Sequence, residues 1–138
     1  MESRYLLDTN TASYIVKGNN PAVDRRVVKV PMAQLAISAV TEGELRFGAA
    51  RLPHATRLHA LIDAFFLRVT ALRWDSDAAA QYGQLRATLE RQGQSLGNLD
   101  MMIGAHALAL GLILVTSDRA FARIKKLKVE DWATGSRQ

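Results

Sequence analysis

The chain has 138 residues, 49% of them hydrophobic and 22% charged, with no cysteine. That length suits one domain with a core of its own, and the composition excludes disordered and low-complexity chains, disulfides, thiolate metal sites and thiol catalysis. Eighteen Lys and Arg face thirteen Asp and Glu, a formal charge of +5 that favours a polyanionic partner.

Residues 4–8 read as a short buried strand ending on the carboxylate of Asp8, with turn chemistry in Thr9-Asn10-Thr11. A short helix follows and breaks at Gly18-Asn19-Asn20. Asn20-Pro21 caps and opens a second helix with Val23, Val27 and Val30 at helical spacing, ended by Pro31. Residues 34–39 form the next strand, and Ser38 caps a helix reaching about Arg51 with Leu45 and Ala49 on one face. After Pro53, residues Leu58, Leu61, Ile62, Phe65 and Phe66 mark a clear amphipathic helix. A third strand is expected over 68–74, then a long helix capped by Asp75 and closed by Gly93. Asn98 is expected to cap a helix over 99–110, ended by Gly111. The apolar run 112–115 is a fourth strand, followed by a short basic helix and a last strand near Lys128-Val129.

Strands alternating with helices predict an α/β fold: a single domain over 1–138 (core about 4–132), with a central parallel sheet of about five strands covered by helices on both faces. No apolar run approaches the ~18 residues needed to cross a bilayer, and the run after Arg4 is too short for a signal peptide. The expected location is cytoplasmic, with no membrane partner.

In such a sheet the strand C-termini and helix N-termini share one edge, where ligands bind. Asp8 ends the first strand and Asp118 follows the fourth; Asp100 lies in the first turn of its helix and Glu44 in the second turn after Ser38. Each of these acids alone has a bland reading: a helix cap for Asp8, a dipole partner for Asp100, a turn residue for Asp118, a salt bridge to Arg51 for Glu44, with Glu42 as a weaker rival. Together they place four carboxylates on one edge from distant segments. At ~5 Å and an effective dielectric near 20, each pair of such charges repels by about 3 kcal/mol. A divalent cation relieves that repulsion, and hard oxygen ligands select Mg²⁺ or Mn²⁺. The chemistry that suits such a site is phosphodiester hydrolysis by metal-activated water. Setting these four acids aside leaves nine against eighteen basic residues, a cationic surface fitted to nucleic acid around an acidic pocket.

Four blocks then resemble one family. Leu6-Leu7-Asp8-Thr9-Asn10 is similar to the opening of PIN domains, and Ser38 to Gly48, containing Glu44, resembles their second block. Residues 99–108, containing Asp100, and 115–121, containing Asp118, resemble the third and fourth. The ending Val129-Glu130-Asp131-Trp132 is similar to VapC toxins of type II toxin–antitoxin pairs. The resemblance spans residues 4–132. It implies a Mg²⁺- or Mn²⁺-dependent endoribonuclease toxin with Asp8, Glu44, Asp100 and Asp118 as its catalytic and metal-binding acids. It further implies a VapB-like antitoxin as partner, an RNA substrate (tRNA by family expectation) and a homodimer. Asn98 stands where some members carry another acid. Thr9, Asn10, Thr116 and Ser117 are candidates to orient the carboxylates.

Other features carry less. His106 sits among apolar residues and reads as a satisfied histidine rather than a base; His54 and His59 lack the same-face spacing of a helical metal pair. Gly93 to Gly97 lacks a P-loop lysine, and no nucleophile elbow is present. Arg119, Arg123, Lys125, Lys126 and Lys128 form either a solvated face or a guide for phosphates. The rival functions are a phosphatase using Asp8, disfavoured because Asn10 cannot shuttle a proton, and a catalytically silent module that binds RNA or a partner.

Overall fold

In the computed structural model, which describes residues 2–134, five parallel strands form one sheet in the order β3-β2-β1-β4-β5. The strands are β1 (Tyr5–Leu7), β2 (Leu35–Ser38), β3 (Thr70–Leu72), β4 (Ile113–Val115) and β5 (Val129–Glu130). The helices are α1 (Thr9–Lys17), α2 (Pro21–Val27), α3 (Ala39–Ala50), α4 (Thr56–Arg68), α5 (Ser76–Arg91) and α6 (Asn98–Leu110), with short 3-10 turns at Met32–Gln34 and Arg119–Arg123.

The strand sequences explain the layering. Alternate residues of a strand point to opposite faces. Leu7, Ile37 and Val115 therefore join one core with Ala12 and Val16 of α1, Leu45 of α3 and Phe65 of α4. Leu6, Ala36 and Leu114 join a second core with Leu89 of α5, Ile103 of α6, Phe121 and Ile124. Both faces being covered, β1 and β2 are buried at every position and apolar except for Ser38 at the end of β2, as befits parallel strands. Along the pairing, Leu7 sits beside Ile37 on one side and Val115 on the other. The chain winds outward from β1 through β2 to β3, then crosses to β4 on the opposite flank. The gap between β1 and β4 is the point where strand order reverses, and ligand crevices form there.

Helix ends follow their caps. Asn20 accepts from the Val23 N–H at 3.1 Å with Pro21 as first helical residue, and Asp75 accepts from the Ala78 N–H at 3.2 Å. Gly93 at φ 66° closes α5, with the Gln94 N–H reaching back to the Leu89 carbonyl at 2.9 Å.

Four sequence expectations shift. The helix α2 stops at Val27 because Val30, preceding Pro31, is barred from helical geometry; Lys29 and Val30 finish the last turn with bonds to Arg26 and Val27. The expected strand over 68–74 shortens to Thr70–Leu72 because α4 keeps Arg68, and the exposed edge of the sheet leaves Thr70 and Ala71 uncovered. The last strand falls on Val129–Glu130 rather than Lys128-Val129. Asn98 does not cap α6: it is the first helical residue, Gly97 holds the cap position, and no side chain bonds the first turn.

Candidate active site

The edge at the β1–β4 reversal is built outward from Asp8. Immediately after β1, this residue serves as the cap of α1: its Oδ1 accepts from the Thr11 N–H at 2.8 Å while its own N–H donates to the Val115 carbonyl at 3.0 Å. The Thr11 hydroxyl donates to that same carbonyl at 3.1 Å. One short segment thus pins the end of β1 to the end of β4. The capping role is real, yet it accounts for only one of the carboxylate's oxygens. Asp8 is buried to 5% exposure. Burial raises its carboxyl above the ordinary value, hydrogen bonds from Thr116 and Thr11 pull it back, and the Asp118 charge adds to the rise.

Asp118 follows β4 by three residues. Its N–H donates to Thr116 Oγ1 at 3.0 Å, and its Oδ1 accepts from the Ala120 N–H at 2.9 Å, which starts the 3-10 turn. Thr116 therefore touches both acids of the reversal point.

Asp100 occupies the third position of α6, half-buried, where a helical side chain leans back over its own N-terminus. A Cβ placed on Gly97 would stand 3.6 Å from Asp100 Oδ2, so the carboxylate curls over the uncapped first turn. Its carboxyl is raised first by burial and then by the charges of Asp118, Asp8 and Glu44. The four acids singled out in the sequence thus act on one another through space.

Glu44, half-buried on α3, accepts a short hydrogen bond from the Thr9 hydroxyl, and Thr9 Oγ1 lies 3.1 Å from Thr41 Oγ1. The alternative pairing with Arg51 is absent: that guanidinium stacks 4.9 Å from the Phe47 ring. Glu42 points elsewhere, bound by Arg46 in an exposed pair at 2.9 Å. The ion pairs of the described residues, Arg26–Glu130, Glu42–Arg46 and Arg86–Glu90, leave the four acids without a cationic side chain.

Of the proposed orienting residues, Thr9 and Thr116 bind carboxylates, whereas Asn10 and Ser117 are exposed and give no hydrogen bond to them among the described residues. Thr41, buried beside Thr9, joins this set without a motif to mark it in the sequence beyond its spacing of three from Glu44. His106 is a satisfied core histidine, 1% exposed, with Nδ1 2.9 Å from Ser38 Oγ. The unsuspected part is its partner, since Ser38 also caps α3 by accepting from the Val40 N–H at 3.1 Å.

Among the described residues no three acids or histidines are drawn into a ready-made coordination sphere. The donors are nonetheless all hard oxygen, mutually repelling and without a protein cation. That set fits an ion such as Mg²⁺, which takes one or two carboxylates and keeps several waters.

Fold and edge together define a three-layer α/β protein with a cluster of carboxylates at the switch point of a parallel sheet. The PIN domain model matches residues 5–127. The chain is 40% identical over 131 residues to the tRNA(fMet)-specific endonuclease VapC of Shigella flexneri, covering 94% of this chain and 98% of that one. Among solved structures it superposes on DNA-bound VapBC from Salmonella typhimurium with a TM-score of 0.87 and 35% identity, over 94% of this chain and 98% of that chain. It superposes likewise on VapBC2 from Rickettsia felis, bound to a promoter DNA fragment, with a TM-score of 0.85 and 28% identity over 93% and 98%. The chain belongs to the PIN domain family and, within it, to the VapC group.

Proposed function

We propose that this chain is a divalent-cation-dependent endoribonuclease toxin, acting as one domain over about residues 4–132, with Asp8, Glu44, Asp100 and Asp118 as its active site. The observation that carries the reading is the convergence at Asp100, whose carboxyl is raised first by burial and then by the charges of Asp118, Asp8 and Glu44. Three anions from three other segments around a half-buried fourth are costly to hold without a function.

Asp8 and Asp100 would be the anchors for Mg²⁺ or Mn²⁺, since burial raises the carboxyls of both and the charge of Asp118 adds to each rise. A bound ion would supply Lewis acidity and an activated water for hydrolysis of a phosphodiester to 5′-phosphate and 3′-hydroxyl ends. Glu44, steadied by Thr9, and the exposed Asp118 complete the ring and accept hydrogen bonds from the attacking water. Thr11 and Thr116 hold Asp8 in its rotamer, so the anchor does not need to reorganise when the ion arrives.

The likeness to a tRNA-specific endonuclease and to VapBC complexes supports tRNA as the substrate and a VapB-like antitoxin as the partner. The working form is a homodimer in the cytoplasm, where tRNA resides. No helix among the described residues is long and apolar enough to cross a membrane.

The test is incubation of total tRNA with antitoxin-free protein in Mn²⁺, Mg²⁺ or EDTA, beside an Asp8→Asn control. Discrete fragments that need the cation and vanish in the variant are expected. RNA binding of normal strength with no products in either metal would replace this reading with that of a silent binding module.

A further inference from the structure

A cleft of about 260 Å³ opens between the C-terminal half of α5, Leu108 of α6 and residues 123–126. Its floor is apolar, made by the buried Leu85, Leu89 and Ile124 together with Leu108. One wall carries amides: Gln81 and Gln84 on α5 and Gln92 just past its last turn. The opposite wall carries the exposed cations Arg123, Lys125 and Lys126. No carboxylate lines the cleft among the described residues, and none of these three cations is spent in an ion pair there.

The lining discriminates among occupants. A phosphate ion needs the cations but neither an apolar floor nor a row of amides. An apolar peptide side chain needs the floor and gains nothing from three unpaired cations. An unpaired nucleotide uses all three: base face on the floor, base edges on the amides, backbone phosphates on the cations.

The cleft is also tied to the acidic edge. Arg123 donates to the Ser95 carbonyl, five residues before Asp100, and itself lies five residues after Asp118. A 3-10 segment rises about 2.0 Å per residue, so roughly 10 Å separates Asp118 from Arg123 along the chain.

We propose that this cleft binds one unpaired nucleotide of the RNA and reads its base, a short reach of backbone from the scissile phosphate. The proposal rests on the ribonuclease reading above. It assigns the basic 119–128 segment a recognition task rather than a solvated face, and it makes the Gln wall a determinant of which RNA is cut.

Two pairs of substitutions test it on antitoxin-free protein: Lys125→Gln with Lys126→Gln, and Gln84→Ala with Gln92→Ala. All four side chains are exposed or line the open cleft, so an unchanged Tm serves as the control for folding. With total tRNA and Mn²⁺, each pair should raise KM about tenfold and leave kcat unaltered. Anisotropy of a labelled single-stranded RNA in EDTA should show the lysine pair lowering the slope of log affinity against log salt by about 1.4, from two lost phosphate contacts. The glutamine pair should leave that slope alone and change which base is tolerated beside the cut. Wild-type KM and cutting pattern in both pairs would overturn the proposal. A lysine effect with no glutamine effect would overturn base reading, and variants that lose only inhibition by the antitoxin would make the cleft a protein-docking site. A wild-type protein that neither binds nor cuts RNA would instead sink the ribonuclease reading.

Discussion

At the scale of single residues, the acidic edge is a place where the fold accepts instability. Asp100 has its carboxyl raised by burial first, then by three neighbouring anions. An acid whose pKa is higher in the folded state binds more protons folded than unfolded, so stability falls as pH rises through the interval above the ordinary value of 3.8. At neutral pH that penalty is fully present. Asp100→Asn removes it, and the cation-free variant should melt above wild type, with the gap widening as pH climbs from about 4 toward neutrality. Mn²⁺ should raise the Tm of wild type and leave the variant where it was. A variant that gains as much from Mn²⁺ as wild type does would remove Asp100 from the ligands. His106 carries the opposite sign. Burial lowers its pKa from 6.5, so the folded state holds it neutral, and stability is lost as pH falls below that value because the unfolded chain takes up the proton. His106→Gln should abolish that downward step in a thermal-melt series across pH 5–8.

At the scale of elements, two of the acids, Glu44 and Asp100, arrive on helices whose placement depends on small contacts. His106 on α6 meets Ser38 at the β2–α3 junction, which couples the helix bearing Asp100 to the helix bearing Glu44. Gly104, one turn after Asp100, lets the 119–124 segment lie close: a Cβ there would come within 2.8 Å of Ile124 Cδ1 and 3.6 Å of Phe121 Cε1. The nearest atom is the end of a mobile side chain, so Gly104→Ala should be nearly neutral, its helix propensity offsetting the contact. Gly104→Val adds bulk that Phe121 cannot yield to. It should cost about 1–3 kcal/mol in denaturant melts and shift Asp118 with its segment, lowering any metal-dependent cleavage more than the stability loss explains. What the sequence made legible at this scale is what local chemistry writes. Asp8, Asn20, Ser38 and Asp75 are capping side chains, and Gly93 and Gly111 are left-handed stops, visible as residue types. The cap of α6 is not legible locally, because Asn98 is a better cap in isolation than Gly97, which holds the position. The choice depends on leaving the first turn open to a carboxylate curling back over it, a tertiary circumstance. The pairing of Glu44 with Thr9, rather than Arg51, is likewise invisible locally, since it joins residues 35 apart in the chain.

At the scale of the whole molecule, charge is sorted rather than spread. The four acids occupy the switch point of the sheet, while the rest of the chain holds eighteen basic residues against nine acids. The sheet order enforces this sorting: with β1 central and β4 crossing back beside it, the ends of both strands deliver their acids to one crevice, whatever the surface does elsewhere. An RNA strand drawn in by the cationic surface must therefore cross an anionic spot unless a divalent ion covers it. Charges about 8 Å apart across water repel by roughly 0.5 kcal/mol per pair, and two carboxylates together by about 1 kcal/mol. In EDTA and low salt, Asp100→Asn with Asp118→Asn should bind single-stranded RNA about fivefold more tightly than wild type. Added Mn²⁺ should narrow or reverse that difference if the wild-type carboxylates hold the ion as proposed, since a held Mg²⁺-like cation takes phosphate as a further ligand. Titrations by anisotropy with and without Mn²⁺ distinguish this from a surface effect, which would be indifferent to the cation. Equal affinities in EDTA would mean that the bound strand does not pass over the carboxylates, and the acidic edge would lose its place in the path of the RNA.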